Sequence, residues 1–284
     1  MTHPPLTEDP DSHEPRFAFG QNWSKYLVAV DQSAIDEARE SLVKAIGLPD
    51  LTGLSFLDIG CGSGIFSLAA RSLGASVLSF DVDADSVHCA VTLRGKYFPG
   101  DSKWEIEQGS ILDGVFTDKL RPFDLVYAWG VLHHTGDMWK ALDNASSLVR
   151  PGGRLVIAIY NDQGHWSQIW LRIKQIYNRL PKVLRIPFVV IVAFPREMRS
   201  LAFSIATLQP SRYVRSWTQY RRVRGMNKWR DLVDWIGGLP FEVAKPEEII
   251  FFFRNRAFEL RGLTTCAGEI GCNEYVFFLQ SAPG

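Results

Sequence analysis

Two adjacent histidines, His133 and His134, follow the apolar stretch FDLVYAWG. Histidine titrates near neutral pH, so either ring suits proton transfer to or from a reacting group. Ligands of open α/β sheets gather outside the carboxyl ends of the strands, which is where this pair stands. The competing role is structural, with one or both rings bonded to the following TGD loop. The residue types leave the choice between the two rings open. Tyr160, Asn161 and Asp162 end the next strand and face the same acceptor space, although Asp162 serves equally to begin the segment after it.

A second constellation lies upstream. FLDIGCGSGIFSLAA, residues 56 to 70, runs from a strand through Gly60, Gly62 and Gly64 into a helix. Glycine accepts positive φ and lets a ligand approach the main chain. The helix N-terminus adds amides without partners. The spacing G-x-G-x-G is one residue shorter than the dinucleotide pattern G-x-G-x-x-G, and Ile65 stands where a nicotinamide-dependent oxidoreductase needs glycine. A tight strand-to-helix turn is the alternative that needs no ligand. Asp81 ends the second strand, 17 residues after Gly64. Its carboxylate can accept two hydrogen bonds from ribose hydroxyls, or it can cap the DADSV helix in place of Asp83. QGSILD (108 to 113) follows the third strand, where an adenine lies in such a sheet; Ser110 reads alternatively as a helix cap.

These residues need a scaffold that brings strand ends together. From residue 54 the chain alternates short apolar strands with segments of helical period: LSFLDI, IFSLAARSLG, ASVLSFDVD, ADSVHCAVTLRGKYF, KWEIEQG, FDLVYAWG, DMWKALDNASSLVR and PGGRLVIAIYN. Such alternation implies right-handed βαβ crossovers and helices on both faces of a parallel sheet. Residues 162 to 244 break the pattern, with helical periods and no clear strand. PEEIIFFFRNRA then reads as a helix, and FELRGLTT and NEYVFFLQ as an antiparallel pair closing the sheet edge. The expected fold is α/β, a doubly wound and mostly parallel seven-stranded sheet with a C-terminal antiparallel hairpin. Residues 1–15 read as a disordered tail, 16–161 and 245–284 as the main domain, and 162–244 as a helical lid inserted after the fifth strand.

FLDIGCGSG, Asp81, GSILD, FDLVYAWGVLHH and PGGRLVIAIY occur in order at the expected spacing, and together they resemble the class I S-adenosylmethionine-dependent methyltransferases. The resemblance covers residues 54 to 160 and, by topology, the last helix and hairpin. It implies S-adenosylmethionine as cofactor. By resemblance Asp58 and Gly60 approach its methionine part, Gly62 and Gly64 line the loop and Asp81 holds the ribose. Ser110 and Ile111 flank the adenine, and Trp129 and Gly130 lie beside the sulfonium. FAFGQNW (17 to 23) stands where this fold often closes over its cofactor, although Phe17, Phe19 and Trp23 read more readily as packed core. RGMNKWRDLVDWIGGLPFE resembles a segment of a bacterial, quinol-methylase-like branch of these enzymes.

The inserted segment is charged. Between His165 and Arg230 stand fourteen basic side chains and one acidic, Glu197, a net of +13 in a chain whose total is zero. Tryptophans and tyrosines are interleaved. Four readings compete: a guide for an anionic small substrate, a contact with an anionic membrane through the apolar 186 to 208 region, an RNA-binding surface, or simple pairing with the acidic main domain. The longest apolar run, IPFVVIVAFP, is about half the roughly 20 residues of a spanning helix. The four cysteines show no metal spacing and read as reduced thiols. With no signal peptide visible, the expectation is a cytoplasmic enzyme, peripheral at the inner membrane face if the lid binds lipid. The favoured activity is O-methylation of a small or lipid-like acceptor. The alternatives are an RNA methyltransferase and a cofactor-binding protein without turnover.

Overall fold

In the computed structural model the described residues are 32–218, 228–268 and 271–281. The expected tail, the FAFGQNW segment and Tyr220, Arg221, Arg222 and Arg224 of the insertion lie outside them.

The first described helix, α1 (Gln32–Ile46), packs Ile35, Ala38, Leu42 and Ile46 inward, at the spacing its sequence dictates. The sheet then builds as β1 (Ser55–Ile59), α2 (Ile65–Ser72), β2 (Ser76–Asp81), α3 (Ala84–Tyr97), β3 (Trp104–Gln108), the short α4 (Gly114–Thr117) and β4 (Phe123–Trp129). A single 3₁₀ turn, Leu132–His134, leads to α5 (Met138–Ser147) and β5 (Val149–Tyr160). Four described helices follow: α6 (His165–Arg179), α7 (Lys182–Ala206), α8 (Pro210–Thr218) and α9 (Lys228–Gly237). The chain returns through α10 (Pro246–Arg254), β6 (Phe258–Thr264) and β7 (Cys272–Leu279).

The seven strands lie in the order β3-β2-β1-β4-β5-β7-β6. The first five are parallel, and β7 is antiparallel to both β5 and β6. The sheet is thus mostly parallel with the C-terminal hairpin at one edge. Side-chain alternation divides the core into two layers. Leu57, Ile59, Val126 and Ile157 face α5 and α10, while Phe56, Val77, Tyr127 and Val156 face α1, α2 and α3. A third apolar cluster lies among the inserted helices, around Tyr177, Val189, Ala193, Leu232 and Ile236.

Short side chains set the helix starts. Asp83 accepts from the Asp85 amide at 2.9 Å, Asp113 from the Val115 amide at 2.9 Å and Asp137 from the Lys140 amide at 3.2 Å. Two boundaries differ from the sequence reading. The PEEIIFFFRNRA helix stops at Arg254, because Ala257 takes a φ of 61° that turns the chain into β6. Pairing of β5 begins at Val149, ahead of the PGG turn, and resumes at Arg154 after an irregularity opposite Phe123 and Leu125.

Candidate active site

β1 and β4 are neighbours, yet the chain leaves them in opposite directions along the sheet. Their carboxyl ends therefore open a crevice. The glycine loop occupies one wall, with φ of 67° at Gly60, 54° at Gly62 and 78° at Gly64. The loop is anchored where the Gly60 and Cys61 amides both donate to the Phe80 carbonyl, at 2.8 and 3.1 Å. A Cβ on Gly60 would sit 2.4 Å from Val131 Cγ1, and one on Gly64 would sit 2.8 Å from Ala90 Cβ. Glycine is therefore required by contact as well as by conformation. α2 starts at Gly64 with no side-chain cap, so its N-terminus is not closed by the protein's own side chains.

Asp81 ties this loop to β2. One carboxylate oxygen accepts from the Gly62 amide at 3.0 Å and the other from the Asp83 amide at 2.9 Å. Burial raises its pKa against these bonds. The helix cap is Asp83, so Asp81 keeps its place at the loop.

Asp58 departs from the expected approach to a methionine group. It is 3% exposed, and Ser67 Oγ donates to its carboxylate from within α2. Ser67 also contacts Ser79 Oγ at 2.7 Å, and Trp104 Nε1 donates to Ser79 at 2.8 Å. This chain of polar groups staples β1, α2, β2 and β3 under the loop. Burial pushes the Asp58 carboxyl up to about 7, partly offset by the Ser67 bonds.

Ile111 also points away from the rim. Its side chain is 4% exposed within the core layer that holds Leu57 and Ile59, and its carbonyl accepts from Asn144 Nδ2 at 2.7 Å. Only its backbone borders the strand ends. Ser110 is half-buried and accepts from the Leu112 amide at 3.2 Å. It forms a turn, whereas Asp113 caps the helix. Trp129 stands 41% exposed at the end of β4 and is followed by Gly130 with a φ of 76°.

The structure separates the two histidines. His133 is 1% exposed, its ring centroid 3.9 Å from that of Tyr160, and neither ring nitrogen makes a hydrogen bond of normal geometry. Burial, then the neighbouring His134 and Lys174, hold its pKa well below the usual value. His134 is half-buried, and its Nδ1 lies 2.5 Å from the Pro240 carbonyl. A carbonyl can only accept, so Nδ1 carries the proton and Nε2 the lone pair. Burial and Lys174 hold the His134 pKa down at about 4. Both rings are thus neutral at physiological pH.

Lys174 gave no sign in the sequence, where it is one basic residue among fourteen. It is 0% exposed, and its ammonium donates to the Trp235 carbonyl. It also lies 4.8 Å from the Phe241 ring, 4.9 Å from Trp235 and 5.9 Å from Tyr160. Burial lowers its pKa to about 7. Glu242 was missed as well. Its carboxylate accepts from the Gly136 and Met138 amides, each at 3.0 Å, and its amide donates to the His133 carbonyl at 3.0 Å. Residues 240 to 242 therefore hold the histidine loop from a point more than a hundred positions downstream.

Beside this cluster a shallow aromatic cleft is lined by Tyr160, Trp170, Trp235, Phe241 and the polar Asn161 and Ser167. The carboxylate of Asp162 accepts from the Gly164 amide at 2.8 Å, so this residue begins the inserted segment. Asn161 accepts from Asn273 Nδ2 at 3.0 Å.

Simple charge pairing between insertion and main domain is not what the ion pairs give. Among the described residues, no insertion cation meets a carboxylate of the sheet domain. Glu197 bonds instead to Lys228 at 2.8 Å, inside the insertion. No described helix is long and apolar enough to cross a membrane.

Comparison with known proteins adds to this geometry. The family described as "Methyltransferase domain" matches residues 32–259. The ubiquinone biosynthesis O-methyltransferase of Brucella melitensis is 32% identical over 111 residues, 39% of this chain and 43% of that protein. The protein of the same name in Rhodopseudomonas palustris is 31% identical over 129 residues, 45% of this chain and 48% of that one. The match thus spans less than half the length of these curated relatives. Among solved structures, magnesium protoporphyrin IX methyltransferase from Synechocystis, with bound SAH, aligns with a TM-score of 0.54 at 14% identity, covering 92% of this chain and 94% of that one. The [4+2]-cyclase SpnF aligns with a TM-score of 0.52 at 11% identity, covering 87% and 81%. At such identities the likeness is one of fold, and the cyclase shows that this fold is not tied to a single chemistry.

Proposed function

This chain belongs to the methyltransferase-domain family, whose class I members draw their methyl group from S-adenosylmethionine, and from that premise we propose that it O-methylates a small or lipid-like hydroxyl acceptor. The observation that carries the reading is the adjacency of two loops at the β1/β4 crevice. Val131, three residues before His134, is the side chain against which Gly60 packs.

The fit to the cofactor is tested on the loop itself. Its backbone packs too closely on Val131 and Ala90 to admit a Cβ at Gly60 or Gly64, and α2 begins there without a side-chain cap, so its first amides are left for a ligand. Gly60, Gly62 and Gly64 would hold the amino-acid part of the cofactor, and Asp81 the ribose. Ser110 and the Ile111 backbone would border the adenine, and Trp129 the sulfonium. Asp58 would act from below, by fixing the loop through Ser67. When bound, the cofactor supplies an electrophilic methyl group, so the protein's task is mainly to orient the acceptor.

His134 is the residue we assign to the acceptor's proton. Its Nδ1–H is committed to Pro240, which leaves Nε2 as the ring's accepting nitrogen. A pKa held down to about 4 makes it a weak base that is unprotonated near neutral pH. Such a group receives a proton from a hydroxyl as that hydroxyl loses it. His133 serves as packing beneath Tyr160.

The aromatic cleft favours a flat apolar acceptor. As it stands it holds only about 10 Å³ of free volume, far below the roughly 300–1,000 Å³ of ordinary ligand pockets, so even a single acceptor ring needs α9 to shift. The inserted helices, which supply Trp170, Trp235 and Lys174, then act as the lid. Two experiments test this reading: calorimetry with S-adenosylmethionine, and turnover of wild type and His134→Ala with a hydroxylated aromatic acceptor. Cofactor binding with turnover that falls about a hundredfold or more in the variant supports it. Equal turnover removes His134 from the chemistry.

A further inference from the structure

α7 is twenty-five residues long, yet only Val189, Ala193 and Ser204 are buried along it. Phe188 and Val192 pack partly against the inserted-helix cluster, and a further set of apolar side chains faces outward in an ordered way. Val183, Ile186, Val190, Ile191, Phe194 and Met198 recur at three- and four-residue spacing on one side of the helix, and all are exposed, Val183 at 81% and Ile191 at 69%. The stripe continues through Ile205 to Leu208, which is 90% exposed at a φ of 55° where the chain turns into α8. Contiguous exposed apolar surface of this kind marks an interaction site.

The charges around the stripe choose the partner. Between residues 182 and 218 there are six basic side chains and one acidic. Lys182, Arg196, Arg199, Arg212 and Arg215 are exposed, whereas Glu197 is held by Lys228 at 2.8 Å and by Trp217 Nε1 at 3.0 Å. Arg212 lies 5.4 Å over the ring of Phe203, which is 55% exposed. Exposed cations on α7 and α8, on the same inserted helices as an apolar stripe, are complementary to a surface that is apolar inside and anionic at its boundary. The helix does not satisfy the length and apolarity of a spanning segment, because Arg185, Arg196, Glu197 and Arg199 interrupt it.

The geometry points to a membrane-docking surface: α7 lies flat in the interface of an anionic bilayer, its apolar stripe among the acyl chains and its arginines at the lipid phosphates. Each phosphate-facing arginine adds electrostatic attraction to the burial of the stripe, so binding weakens with salt. The inference deepens the proposed function and rests on it in one respect, that the bilayer would be the source of a lipid-like acceptor. The same insertion carries Trp170, Lys174 and Trp235, so a helix seated on lipid puts the aromatic cleft close to the bilayer surface.

The test uses the full chain with vesicles of phosphatidylcholine, and of phosphatidylcholine mixed with phosphatidylglycerol. Wild type should sediment with the anionic vesicles at low salt and be released by added salt. Phe194→Asp, at a site 59% exposed, should weaken that binding about tenfold or more while leaving S-adenosylmethionine affinity unchanged. Arg196→Glu combined with Arg199→Glu should lower binding to the anionic vesicles alone. Several results overturn the inference: no vesicle binding by wild type, equal binding to both compositions, or Phe194→Asp binding as wild type. A wild-type dimer that Phe194→Asp converts to monomer overturns it in favour of a second copy of the chain. Retention of an RNA oligonucleotide in place of vesicles overturns it in favour of nucleic acid. Cofactor calorimetry on the same preparations keeps the two readings apart. Cofactor binding without vesicle binding rejects the docking surface only, and vesicle binding without cofactor binding rejects the proposed function only.

Discussion

His134 Nδ1 donates to the carbonyl of Pro240 at 2.5 Å, across 106 residues of chain. This bond fixes the imidazole tautomer and couples the end of β4 to the segment that follows α9. Replacing His134 with Gln keeps a side chain that can bond to Pro240 but removes the basic nitrogen. We expect turnover to fall by about 10²–10⁴ in His134→Gln with the cofactor dissociation constant unchanged. Wild-type turnover in this variant, measured with cofactor and acceptor saturating, rejects the base.

Lys174 depresses the His134 pKa, second only to burial. Lys174→Met should therefore move the His134 titration, followed by NMR of the ring carbons, from about 4 toward the ordinary value. The sign of the stability effect follows. A histidine with a lowered folded pKa binds fewer protons folded than unfolded, so stability is lost as pH falls from about 6.5 through about 4. Asp58, raised to about 7, acts in the opposite direction, losing stability as pH rises from 3.8 through 7. The difference between Lys174→Met and wild type cancels that contribution. The variant should lose less stability than wild type on acidification, measured by denaturant unfolding at several pH values.

Asp81 holds the Gly62 amide, and the proposed function assigns it to the ribose hydroxyls. Asp81→Ala should weaken S-adenosylmethionine binding by about 1.5–3 kcal/mol, the scale of hydrogen bonds to a charged group. An unchanged heat and affinity in calorimetry excludes it from the site.

Gly60 and Val131 form a steric pair. Gly60→Ala places a Cβ 2.4 Å from Val131 Cγ1 and imposes a φ of 67° on alanine. We expect loss of both stability and cofactor affinity. Val131→Ala in the same chain removes the clashing γ carbons and leaves the strain of about 1–2 kcal/mol. The double variant should therefore recover partly. Strict additivity of the two substitutions in thermal unfolding contradicts the contact.

What the sequence revealed follows from which constraints are local. The glycine loop was legible because positive φ and close packing admit little besides glycine at Gly60 and Gly64. The mostly parallel sheet was legible because apolar strands alternate with helical periods. The choice between His133 and His134 was not, since it depends on Pro240 and Tyr160, which reach the loop only in the fold. Lys174 was hidden for the opposite reason. In a run of fourteen basic residues a buried lysine resembles a solvated one, and only the ring contacts of Tyr160, Trp235 and Phe241 set it apart. Strand alternation turns the Asp58 side chain inward from β1, and Ile111, in the turn before α4, buries its side chain in the layer that holds Leu57 and Ile59.

Methyl transfer to a hydroxyl is the central claim, and following the label tests it most directly. The protein is incubated with methyl-labelled S-adenosylmethionine and a cell extract, and the labelled product is identified by mass spectrometry. The expected product is a methyl ether on a lipid-soluble aromatic compound, absent with His134→Gln. Label on nitrogen or in the nucleic-acid fraction, or no transfer by a protein that binds the cofactor, contradicts the account.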